Sequence, residues 1–89
     1  MNKTEYLINN WDNISDILNA ESISALILNN SHLVHADEDK IHIFVKDEKA
    51  SLVNARYIAK IKGMIERYLG NSVTFIAEVD ADSVGMDYE

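Results

Sequence analysis

The hydrophobic pattern of this chain predicts a two-layer α+β domain, with elements in the order α-α-β-β-α-β and a three-stranded sheet covered on one face by helices. Three observations carry that prediction. Over residues 48–69, Asn54, Ile58, Ile61, Ile65 and Leu69 fall in one arc at about 100° per residue, as an amphipathic helix requires. Residues 41–45 and 72–79 alternate apolar and polar side chains, as half-buried strands do. Near the N-terminus, Leu7, Trp11, Ile14 and Leu18 recur at helical spacing. Three strands cannot close into a barrel, so the helices must cover one face of the sheet.

The first helix is expected to start at Thr4, whose hydroxyl can accept from an orphan amide of the first turn. Ile8 and Ile17 widen its apolar face, and Trp11, the only Trp, sits mid-stripe, expected as a core residue with an aromatic anchor for a partner as the alternative. Asn19-Ala20 breaks the pattern. Ser22 is placed to cap a second helix with an apolar edge of Ile23, Leu26 and Ile27, and Asn29-Asn30-Ser31 ends it. Residues 32–36 read as a strand, Asp37-Glu38-Asp39-Lys40 as a polar turn, and 41–45 as a second strand. So short a turn implies an antiparallel hairpin. In the second strand, Ile41, Ile43 and Val45 share one face while His42 and Phe44 share the other. Asp47 is expected to cap the long helix. Gly63 in its middle costs about 1 kcal/mol relative to Ala and suggests a close approach or a bend. Gly70-Asn71 is a left-handed stop. The third strand follows, and residues 81–89 form an acidic tail to a single domain spanning 1–80.

Eighty-nine residues leave room for one modest core and no second domain. With no Cys, disulfides and thiolate chemistry are excluded. Apolar runs fall far short of a membrane span, and nothing at the start resembles a signal peptide, so a cytoplasmic protein is expected. The net charge of −7 opposes binding to a phosphate backbone. The charge is uneven, however. Six of the eight basic residues, Lys46, Lys49, Arg56, Lys60, Lys62 and Arg67, lie on or beside the long helix. After Phe75 the chain carries Glu78, Asp80, Asp82, Asp87 and Glu89 and no basic residue.

Catalytic machinery is not legible. The glycines stand singly at Gly63, Gly70 and Gly85, so there is no phosphate-binding or dinucleotide fingerprint. His32, His35 and His42 are the only imidazoles. His32 and His35 differ in parity along a regular strand and should point to opposite faces, with His42 across the hairpin from one of them. Asp37-Glu38-Asp39 is too short for a calcium loop. No enzyme, cofactor or metal site is expected.

With the elements placed, the succession of segments resembles a known family. Trp11-Asp12-Asn13-Ile14 is followed by Ile23-Ser24-Ala25-Leu26-Ile27-Leu28, Leu33-Val34 and Asp37-Glu38-Asp39-Lys40-Ile41-His42-Ile43-Phe44-Val45. Next come Tyr57-Ile58-Ala59-Lys60-Ile61 and Tyr68-Leu69-Gly70-Asn71-Ser72-Val73-Thr74-Phe75. This resembles the C-terminal region of the γ/τ (clamp-loader) subunits of bacterial DNA polymerase III. It is also similar to the KH-like N-terminal domain of the replication initiator DnaA. DnaA domains usually carry a second Trp on the second helix, where this chain reads Ile23-Ser24-Ala25-Leu26-Ile27, so the τ likeness is favoured.

The resemblance implies a KH-like fold and a non-catalytic protein-interaction role in DNA replication, docking the replicative polymerase or the replicative helicase. Without an ATPase region the chain would be a fragment or a free-standing relative, and clamp loading itself is not expected. Two partner-binding surfaces are expected. One is the basic band Lys49, Arg56, Lys60 and Arg67. The other is Val84, Met86 and Tyr88, spaced by two as a strand that could add to a sheet edge. The alternatives are a small regulator from a phage or mobile element that imitates such a domain, and a KH-like nucleic-acid-binding module. The latter lacks the Gly-X-X-Gly loop that grips backbone phosphates. A monomer and a homodimer are both compatible with the pattern.

Overall fold

A computed structural model describes residues 2–79. Its centre is β2 (Lys40–Val45), whose alternation decides which way the sheet faces. Ile41, Ile43 and Val45 are buried, while Lys40, His42 and Phe44 on the opposite side are exposed or half-exposed. β1 (Ser31–Ala36) pairs with β2 antiparallel, and β3 (Thr74–Val79) pairs with its other side in parallel. The sheet order is therefore β1-β2-β3, a mixed three-stranded sheet. A parallel pair needs a crossover, here α4 (Ala55–Leu69). α1 (Lys3–Asn9), α2 (Ile14–Ile17) and α3 (Ser22–Asn29) precede the sheet. Their buried residues and those of α4 form one apolar cluster with the inner face of the sheet. The α+β class, the element order and the one-sided cover follow the sequence pattern.

The N-terminal stripe holds, but it is not one helix. Leu7, Trp11, Ile14 and Leu18 are all buried, at 8% exposure or less. α1 stops at Asn10, whose side-chain amide donates to the Tyr6 carbonyl at 2.9 Å and so competes with continued helix. A 3₁₀ turn over Trp11–Asn13 leads into the single turn of α2. The cap is Asn2 rather than Thr4. Its side chain accepts from the Glu5 amide at 2.8 Å while Glu5 reaches back to the Asn2 amide, a reciprocal capping box. Ile8 does not widen the buried face but stands 38% exposed.

α3 is likewise rotated from expectation. Glu21 is its N-cap, and Ser22, with φ +55°, makes no capping bond. Ser24, Ile27 and Leu28 are buried, and Leu26 is turned to solvent. The helix ends at Asn29 as expected, with Asn30 Nδ2 donating to the Leu26 carbonyl and Ser31 Oγ to the Leu28 carbonyl.

The long helix begins seven residues later than the periodicity suggested. Residues Asp47–Leu52 form a 3₁₀ segment, and Asn54, expected in the apolar arc, is instead the N-cap of α4, accepting from the Tyr57 amide at 3.2 Å. Asp47 caps no α-helix. The reason is packing. At about 100° per residue, a helix continuous from residue 48 would place Leu52 opposite Ile61 and away from the core. The break lets Leu52 join Val53 in packing against the apolar cluster. Beyond it, Ile61, Met64 and Ile65 are buried, and Gly70 ends α4 in the left-handed conformation (φ 80°), donating to the Glu66 carbonyl.

Gly63 marks neither a close backbone approach nor crowding. A Cβ there would lie 3.6 Å from the Arg67 guanidinium, an ordinary contact with the end of a flexible side chain. Gly63→Ala is therefore expected to raise stability by roughly 0.5–1 kcal/mol, since it lowers unfolded-state entropy at no steric cost. Urea denaturation of the two proteins measures it. A loss of stability would mean that the helix needs the glycine.

Candidate functional site

Among the described residues, two surfaces stand exposed: the outward side of α4 and the sheet face that no described helix covers. α4 carries Arg56, Lys60, Lys62 and Arg67 against one acidic residue, Glu66. Glu66 is half-buried, and its carboxylate accepts from the Val73 amide at 3.0 Å, tying the end of α4 to the start of β3. Arg56, Lys60 and Arg67 lie four and seven residues apart, so they form one stripe along the helix. All three are exposed. Among the described residues, none of these four cations has a carboxylate within ion-pair distance; the close contacts of that kind join the imidazoles of His35 and His42 to Asp37 and Glu78. Arg56 rests over the Tyr57 ring at 5.9 Å.

Lys49 does not belong to this stripe. It lies in the 3₁₀ segment before α4, half-buried, because the helix starts after it. The expected band thus reduces to its helical members. Val84, Met86 and Tyr88 lie outside the described residues.

The uncovered sheet face is richer in imidazole than a regular strand would allow. The β1–β2 register slips between Leu33 and His35, so Val34 is an extra residue in β1. A bulge of this kind reverses the alternation beyond it. His32 and His35, expected on opposite faces, therefore both point away from the core: His32 opposes Phe44, and His35 opposes His42. His32 and His42 each meet the Phe44 ring edge-on, at centroid distances of 5.6 and 5.5 Å. His42 Nε2 lies 2.6 Å from Glu78 Oε1 across the β2–β3 boundary. Val34 itself is 47% exposed. Nothing in the residue pattern signalled the bulge. It also interrupts the outer edge of β1, which discourages pairing with another strand.

At the tip of the hairpin, Asp37 Oδ1 accepts from the amides of Asp39 and Lys40, and Asp37 Oδ2 pairs with His35 Nε2 at 2.8 Å. The His35 hydrogen bond first, and the Asp39 amide after it, hold the Asp37 carboxyl below its ordinary range. A depressed carboxylate contributes stability above its unfolded pKa and loses it as pH falls through the folded one. Because the Asp37 side chain is exposed at the hairpin tip, the turn rather than the whole fold should register this. In a proton-detected carboxylate titration, Asp37 is expected to titrate below its ordinary range, and His35→Ala should move it upward. An unmoved value would remove His35 as the cause.

Among the described residues, no three of His, Asp and Glu are grouped to hold a metal ion. No helix among them is long and apolar enough to cross a membrane. Comparison with protein families, curated proteins and solved structures yields no match.

Proposed function

We propose that this chain is a non-catalytic protein-interaction domain of bacterial DNA replication, τ-like in character, that docks the replicative polymerase or the replicative helicase through the outward side of α4. The observation that supports an interaction role is the charge on α4. In a chain of net charge −7, one helix gathers four cations without carboxylate partners among the described residues. Unpaired surface charge of one sign steers association with a surface of the other sign. The replication assignment rests on the resemblance of the segments around Trp11, Ile41 and Tyr68 to the τ region.

An affinity pull-down with the tagged chain from lysate of its own host tests both parts. Recovery of the polymerase or helicase supports the reading. Recovery of nucleic acid with neither protein defeats it and favours a KH-like nucleic-acid role, whose binding must fall steeply with salt. The double charge reversal Arg56→Glu/Lys60→Glu is expected to weaken partner binding about tenfold or more while leaving thermal stability nearly unchanged, because both residues are exposed. Isothermal titration alongside a melting curve gives both values. Unchanged affinity would remove this surface from the interaction.

A further inference from the structure

In the cleft between the end of α2 and the later half of α4 we infer a docking site for an acidic partner segment that inserts one large apolar side chain. The cleft holds about 230 Å³ and is lined by Ile17, Leu18 and Asn19 on one side and by Met64, Arg67 and Tyr68 on the other. Leu18 and Met64 are 8% exposed, so core side chains form part of a lining whose accessible surface is otherwise more polar than apolar. The opening is sized for a single side chain and is too small for a drug-sized molecule.

The position of the cations selects the occupant. Met64 lies four residues after Lys60 and three before Arg67, so the two charges flank Met64 along the same row of α4, with Arg67 itself lining the cleft. Arg56 extends that row one turn further. On the other flank, Lys3 Nζ sits 5.3 Å from the centre of the Tyr68 ring and donates to the Tyr68 carbonyl. Asn19 is shared with a separate hollow that carries Asp16 and Glu21, and there the cationic surface ends. A partner with carboxylates on either side of one Leu, Phe or Met satisfies both the charges and the cavity. This is the helix-in-groove or short-motif mode of recognition, with one anchor and a charged rim.

The inference deepens the interaction reading above and rests on it, but not on the replication assignment. The test selects binders to the full chain from a displayed random peptide library, then maps a synthetic version of the enriched peptide by methyl NMR. The expected result is enrichment of acidic peptides with one large apolar residue, and shifts at Ile17, Leu18 and Met64. Arg67→Glu, or Ala in place of the peptide's apolar residue, should each weaken binding about tenfold. Three results would overturn the cleft: no acidic enrichment, shifts confined to the outer sheet face around His32 and Phe44, or affinity indifferent to Arg67→Glu. A pull-down that recovers a non-replication partner while the cleft still binds acidic peptides would fault the replication assignment alone.

Discussion

Ile43→Ala is expected to lower the free energy of unfolding by roughly 2–5 kcal/mol, whereas Phe44→Ala, one residue along the same strand, should cost only about 1 kcal/mol. The contrast follows from the one-sided cover of the sheet. Ile43 is fully buried, on the central strand, beneath α4 and the N-terminal helices. Truncation there removes transfer energy and leaves a cavity that neighbours on both sides cannot easily fill. Phe44 points the other way, half-exposed, and loses only its edge-on contacts with His32 and His42. A domain of this size is stable by about 5–15 kcal/mol in all, so Ile43→Ala should shift the urea midpoint far more. If Phe44→Ala were equally costly, the outer face would be covered in solution, and the two-layer description would fail.

Trp11→Ala should cost roughly 3–5 kcal/mol, with Trp11→Phe much milder at about 1–2 kcal/mol. Trp11 lies in the 3₁₀ turn between α1 and α2, 8% exposed, and its indole Nε1 donates to Ser31 Oγ at 3.1 Å. That hydroxyl in turn donates to the Leu28 carbonyl at 2.7 Å. The indole thus links the N-terminal helices to the start of β1, filling the core with its body and satisfying its one donor at the edge. Phe keeps most of the volume and gives up the donor, while Ser31 retains its bond to Leu28. Because Trp11 is the only Trp, its fluorescence follows unfolding directly in the wild type, and circular dichroism does so in the variants. Equal costs for Phe and Ala would show that the hydrogen bond, not the packing, holds this junction.

Much of the fold was legible because burial leaves a periodic trace. Ile41, Ile43 and Val45 alternate, and so they face the core. Leu7, Trp11, Ile14 and Leu18 recur at helical spacing and are buried even though the helix through them is broken. Gly70 announced its left-handed stop. The candidate surface was partly legible too, since Arg56, Lys60 and Arg67 keep their spacing on α4.

What the residues alone determined is the inward set of side chains, the α+β order and the clustering of positive charge on one helix. Each of these depends on spacing along a single element. Tertiary packing decided the rest. It started α4 at Ala55, because Leu52 reaches the core only if the helix begins later, and this removed Lys49 from the basic stripe. It also placed Val34 in a bulge that brings His32 and His35 to one face. Ladder register and cleft walls arise between elements distant in sequence, and no local period records them. The cleft lined by Leu18 and Met64 lies between the end of α2 and α4, which are far apart in sequence.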